Sequence, residues 1–290
     1  MAKAVRMIST DGTLYILAVN SADIVEKARR IHKLYPVTTA ALGRLLTGAS
    51  MMGAVLKGKD DSLTLRINGG GPAGSLIAVS DSFGNVKGYA ENPDVQIPHD
   101  SNGNLDVGTA VGTNGTLAVM KDLGMKEPYS GQVPIISGEI ANEITSYYAL
   151  SEQTPTVCAL GVKVDRHNRS VSTAGGFMIQ LLPTALDDTI DKVEQCLKDT
   201  KPVTEMLSEG KTPEEICRIV LSAFELELLD EFEPEYRCDC SKERVTRALL
   251  TLNKDELANM ADDEQTEVCC HFCEKKYYFT PDEIRALAGI

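Results

Sequence analysis

Five of the eight cysteines fall in one short stretch, as Cys238-Asp239-Cys240 and Cys269-Cys270-His271-Phe272-Cys273, and this cluster restricts the fold of the chain more tightly than any other feature. Two close pairs at the ends of the loop 241–269 can fold back to set four sulfurs around one ion. Zinc takes four soft donors in a tetrahedron, so one Zn2+ per chain on Cys238, Cys240, Cys270 and Cys273 is the expected arrangement. A disulfide framework would not persist in a reducing compartment, and packing cysteines have no reason to gather in a polar, acidic segment. Cys269 and His271 compete as donors. Cys270-x-x-Cys273 leaves two residues between ligands, the spacing of a zinc-knuckle turn, which makes Cys269 a spectator thiol.

Residues 235–290 form too small a unit to rely on apolar burial, although Leu249, Leu250, Leu252, Leu257, Tyr277, Tyr278 and Phe279 offer a modest core. In small zinc-bound peptides about 10–16 kcal/mol of metal affinity becomes folding energy, so the unit should unfold without its ion. Such a site is either a permanent clamp or a switch. A disulfide across the single residue of Cys238-x-Cys240 closes a small, strained, readily reduced ring, which suits a reversible sensor.

The start, Met1-Ala-Lys-Ala-Val-Arg, has no apolar run of signal-peptide length, and the chain is expected to be cytoplasmic. The apolar stretch Ala40–Leu56 is interrupted by Arg44, Thr47 and Ser50 and is shorter than the roughly 20 residues that cross a bilayer. It reads as a buried helix whose Gly43, Gly48 and Gly53 need close packing, and no membrane association is expected. Net charge is −13, and residues 225–267 hold 14 acidic side chains against 5 basic ones. A phosphate backbone is therefore a poor partner, and no nucleic acid is expected.

The chain reads as α+β in three parts. Residues 1–180 form a large mixed domain rich in antiparallel strands, with a strand at Thr13–Asn20 and a helix capped by Asn20-Ser21 that carries Ile24, Ala28 and Ile31. Further strands lie at 63–67, 75–79, 85–89, 115–120 and 161–165, with a turn at Asp81–Gly84 and a helix at Ile140–Leu150. Residues 181–234 form a helical linker with Ile190, Val193 and Leu197 on one face. Thr212-Pro213-Glu214-Glu215 is a capping box, and Ile216, Ile219, Val220 and Ala223 make a second stripe. Residues 235–290 form the small zinc-binding domain, just after Pro234.

Other motifs are weaker. Gly69-x-Gly71-x-x-Gly74 resembles a dinucleotide fingerprint, but Pro72 and a strand follow where a helix is required, so a tight turn is expected. His32, His99, His167 and His271 stand in no nucleophile motif, and Cys158, Cys196 and Cys217 read as packing residues. Glu139 and Glu143 share a helix face in a solvated or capping role. No catalytic set emerges, so an enzyme is not expected. Two alternatives remain: a thiol oxidoreductase using Cys270-x-x-Cys273, and a zinc-ribbon interaction module without redox control.

The cysteine spacing resembles that of the redox-regulated heat-shock protein 33 family, the 33 kDa chaperonins. Upstream, Tyr129-Ser-Gly-Gln-Val133, Ser137-Gly-Glu-Ile-Ala141, Tyr147-Tyr148 and Ser151-Glu-Gln-Thr-Pro155 match the family signature in order. So do Gly70–Gly74, Asp81 with Gly84, Gly88-Tyr89 and Asn92-Pro93. The resemblance implies a holdase chaperone that is inactive while reduced and zinc-bound. Oxidation is then expected to form Cys238–Cys240 and Cys270–Cys273 disulfides, release zinc, loosen the linker and expose a surface for unfolding client proteins, with a homodimer as the active state. The extra Cys269 departs from the family pattern.

Overall fold

The computed structural model describes residues 2–289 and divides into two compact units, residues 1–237 and 238–290. Two antiparallel five-stranded sheets organise the first. One joins β1 (Lys3–Ser9), β2 (Leu14–Asn20), β8 (Thr156–Val164), β9 (Val171–Leu181) and β10 (Leu226–Phe232) in the order β10-β1-β2-β9-β8. The other joins β3 (Ser62–Asn68), β4 (Leu76–Asp81), β5 (Val86–Ala90), β6 (Thr116–Asp122) and β7 (Tyr129–Pro134) in the order β5-β4-β3-β6-β7.

The apolar stretch forms α2 (Pro36–Gly53), which packs against strands of both sheets and is buried along nearly its whole length. A side chain at Gly53 would run into Ser80 and the Asp81 carbonyl, so only glycine lets α2 come this close to β4. Helix α1 (Ala22–His32) and helix α4 (Ile140–Tyr147), which continues as the π-helical turn Tyr148–Glu152, complete this layer together with the short α3 (Val107–Val111).

Strand β2 is buried on both faces, and its period-2 alternation sorts two cores. Leu17 and Val19 join the cluster around α2, while Leu14, Ile16 and Ala18 join a second cluster with Val193, Val203, Met206, Leu207, Ile216, Cys217 and Val220. That second cover comes from α5 (Asp187–Lys198), α6 (Val203–Ser208) and α7 (Pro213–Val220). The stretch 181–234, expected as a helical linker, carries these three helices and ends with strand β10. Strand β10 escapes sequence periodicity because it is an edge strand whose pairing with β1 is interrupted by a bulge, with Leu228 and Leu229 left exposed.

The helix stripes also differ from expectation. Ile190, Ile219 and Ala223 are exposed; the buried face of α7 is Ile216, Cys217 and Val220, with Leu221 at its end. Helix α7 stops at Val220, so Ala223 is no longer in helical register. Its capping box is present, with Thr212 Oγ1 accepting from Glu215 N at 3.2 Å. The Ser21 hydroxyl does not cap α1 but bonds Thr47 Oγ1 of α2 at 2.7 Å. Glu143 is fully buried, its carboxylate accepting from the backbone N–H groups of Ile136, Ser137 and Gly138 at 2.9–3.0 Å, while Glu139 pairs with Arg44. The Gly69–Gly74 segment is a turn between β3 and β4.

Candidate metal centre

The second unit is built from short elements that each carry their own stop and start signals. Helices α8 (Lys242–Leu249), α9 (Lys254–Met260) and α10 (Pro281–Ala288) are capped by Ser241, Asn253 and Thr280, the last two in capping boxes with Glu256 and Glu283. Strands β11 (Thr266–Cys269) and β12 (Lys276–Phe279) form an antiparallel hairpin. Its core is Leu249, Leu257, Ala261, Tyr277, Phe279, Ile284 and Ala288. Leu250, Leu252 and Tyr278, expected in that core, are exposed. Alternation along β12 explains the last of these, since Tyr277 and Phe279 point inward and Tyr278 outward.

The hairpin turn folds Cys270 and Cys273 together: Glu274 N donates to Cys270 O at 2.8 Å, and Cys270 N to Lys275 O at 3.0 Å. Glu274 takes a left-handed φ of 56° to close the turn. Cys238 and Cys240 meet it from the N-terminal side of α8. All four Sγ atoms lie within 4.8 Å of one another, with Cys238 to Cys270 at 3.7 Å and Cys240 to Cys273 at 3.4 Å. All four are free thiols. The edge of a tetrahedron with about 2.3 Å zinc–sulfur bonds is about 3.8 Å, so the donor set fits zinc in type, number and spacing.

Cys269 ends β11 on the exposed face shared with Glu267, one residue out of phase with the cluster, and His271 is exposed as well. Neither joins the group. Cys217 is buried in the second core of the first unit, Cys158 packs against the first, and Cys196 lines a surface groove. His32 is buried in the first unit, its Nε2 3.1 Å from the Tyr236 hydroxyl.

As thiols, Cys238, Cys240 and Cys273 are pulled in different directions. Burial pushes Cys238 up and Cys273 up to about 11, whereas Cys240, although burial opposes it, is drawn down to about 7 by hydrogen bonds led by the Tyr277 hydroxyl. A doubly charged ion among the sulfurs would let them ionise together. The Tyr277 Oη–H donates to Cys240 Sγ at 3.1 Å. Sequence reasoning placed Tyr277 only in the core. A buried tyrosine hydroxyl needs a partner, and the inward position on the strand following the Cys270–Cys273 turn was the available signal.

The first unit is a mixed α/β body with two antiparallel sheets, and the second is a small unit gathered around four convergent thiols that could hold a metal ion. The sequence model described as "Hsp33 protein" matches residues 3–280. The chain is 49% identical over 284 residues to the 33 kDa chaperonin of Agathobacter rectalis, covering 98% of each, and 47% identical to that of Clostridioides difficile, covering 96% of each. The crystal structure of the 33 kDa chaperonin (heat shock protein 33 homolog) from Thermotoga maritima superposes with a TM-score of 0.89 at 33% identity, over 99% of this chain and 97% of that one. The chain belongs to the Hsp33 family.

Proposed function

We propose that this protein is a redox-regulated holdase in which Cys238, Cys240, Cys270 and Cys273 are both zinc ligands and redox sensors. The observation that carries the reading is the convergence, among the described residues, of four free thiols whose sulfurs lie within 4.8 Å of one another, in a chain of this family. Zinc, when bound, would hold the four sulfurs as thiolates and tie the two ends of the small unit together.

Thiolates are the form that oxidants attack, so the reduced site is poised to react. Disulfides Cys238–Cys240 and Cys270–Cys273 would remove all four donors at once. The unit 238–290 then keeps only a small apolar core and loses its fold. Residues 233–237 lead directly into Cys238, and upstream of them α5–α7 cover one face of a sheet. Loosening of that cover would expose Met7, Ile16, Ala18, Phe177 and Ile179, an apolar face of the kind that captures unfolding clients. The proposal includes a cytoplasmic location, where the thiols stay reduced until oxidant arrives, a homodimer as the active form, and no enzymatic turnover.

The test compares reduced, zinc-loaded protein with peroxide-oxidised protein in suppressing aggregation of a heat-unfolded client. Suppression by the oxidised form alone is expected; equal suppression by both forms would remove the switch. No observation favours the oxidoreductase alternative, because Cys270 and Cys273 sit in a hairpin turn and not at the N-terminus of a helix. Absence of insulin reduction would dismiss it.

A further inference from the structure

The four sulfurs are alike in chemistry but not in surroundings. Cys240 accepts a hydrogen bond from the hydroxyl of Tyr277, a residue 7% exposed and clustered with Leu249, Leu257 and Phe279. The hydroxyl is thus held by the core at a fixed place, 3.1 Å from the sulfur. The Lys275 ammonium lies 5.2 Å from the same ring's centroid. A hydrogen bond donated to a thiolate withdraws charge from sulfur and lowers its nucleophilicity.

We propose that Tyr277 is a positioning residue that sets the order of oxidation, shielding Cys240 so that other thiolates of the cluster react with peroxide first. The inference rests on the redox reading above and deepens it. In the first step a thiolate sulfur attacks a peroxide oxygen. The O–O bond breaks, an S–O bond forms, sulfur loses two electrons, and hydroxide leaves, giving a sulfenic acid. In the second, a neighbouring thiolate attacks that sulfur, the S–O bond breaks, an S–S bond forms, and a second hydroxide leaves. Tyr277 acts on the first step at Cys240. Its hydroxyl stays on the sulfur while the electron pair is needed for attack.

The experiment is Tyr277→Phe in the full-length, zinc-loaded protein, which removes the hydroxyl and keeps the ring. Tyr278→Phe, at the exposed neighbouring position, is the control. Peroxide is added in a time course, oxidation of each cysteine is read by differential alkylation and mass spectrometry, and zinc release by a chromogenic chelator. Oxidation at Cys240 should be faster by about tenfold in Tyr277→Phe, with the other three cysteines changing less and Tyr278→Phe behaving as wild type. Unchanged rates, or an equal acceleration at all four, would overturn the proposal. Should Tyr277→Phe fail to hold zinc, the wild-type protein loaded with cadmium-113 decides. A slowly exchanging Tyr277 hydroxyl proton coupled to the metal supports the hydrogen bond, and a freely exchanging one refutes it. Failure of the underlying redox reading would look different, since wild-type thiols would then resist peroxide altogether.

Discussion

The two units of this chain solve the same physical problem with different means. The first buries two apolar clusters that share the strands of one sheet, with β2 contributing to both, and its buried Glu143 carboxylate is met by three amide donors. The second gathers seven buried apolar side chains beside four sulfurs. Burying an aliphatic or aromatic side chain stabilises by about 1.5–3 kcal/mol each, against a backbone ordering cost of about 1–2 kcal/mol for every residue fixed. The first unit meets that cost from its own sequence, while the second needs something to join its ends. On the proposed reading, an event at sulfur would dissolve one unit and leave the other standing.

Removal of metal is the strongest way to break this comparison. Stripping the reduced protein with a chelator is expected to cost the second unit on the order of 10 kcal/mol, enough to unfold it. Hydrogen exchange should then show β11 and β12 amides at unprotected rates while β2 and β9 amides stay protected; a hairpin still protected after chelation would refute the contrast. Glu143→Ala attacks the other unit. It strands three N–H groups, that of Gly138 in a buried bond and those of Ile136 and Ser137 in part-buried ones, and a loss of about 3 kcal/mol in denaturant unfolding of the first unit is expected, with metal content unchanged. A loss below about 1 kcal/mol would mean that water replaces the carboxylate there.

How much of this contrast was legible in the sequence follows from the same physics. Cysteine spacing is local, so the four thiols that the structure brings together, Cys238, Cys240, Cys270 and Cys273, could be picked out from the chain alone, with Cys269 set apart by the knuckle spacing. The buried glycine-studded helix and the turn at Gly69–Gly74 were equally plain, because each is written in contiguous residues. What escaped depends on distant partners. Strand β10 pairs with β1 across more than two hundred positions, and its exposed Leu228 and Leu229 mimic a core pattern. Ile190 and Ile219 look like helix-face residues until the strand layer beneath shows which side is covered. Glu143 gave no hint of burial, since its donors sit in a loop whose shape only the fold supplies. The Tyr277 hydroxyl is the same case in the second unit.

Acid gives a smaller, finer test, because the two units should respond in different windows. Glu26 is held down to about 2 from 4.5, chiefly by its hydrogen bond to Arg29. A depressed carboxylate contributes stability that is fully present above 4.5 and lost as pH falls through about 2. After allowance for solvent screening the contribution of Glu26 to the first unit is at most about 2 kcal/mol. Thiolate ligands exchange metal for protons well above that range, so zinc content should fall before the first unit weakens. A titration following metal by chromogenic chelator and the first unit by hydrogen exchange should separate the two; coincident transitions would mean that the units fail together.

The smallest effect is expected where surface charge might be credited with holding the second unit. Lys242 Nζ lies 2.7 Å from Glu283 Oε1 and 4.8 Å from the centroid of the Phe279 ring, linking α8 to α10. Both charged side chains are nearly half exposed, at 45% and 44%, so water and salt screen the pair and each long side chain loses rotamer freedom in forming it. A double-mutant cycle of Lys242→Met with Glu283→Gln in the zinc-loaded protein should give a coupling of about 0.5 kcal/mol or less, falling further at high salt. The single change Lys242→Met also removes the cation from the Phe279 face, adding about 0.5 kcal/mol that the cycle cancels. A coupling above about 1.5 kcal/mol would show that the ion pair is ordered and desolvated. The second unit would then have a fastening independent of its sulfurs, and oxidation alone would no longer be enough to undo it.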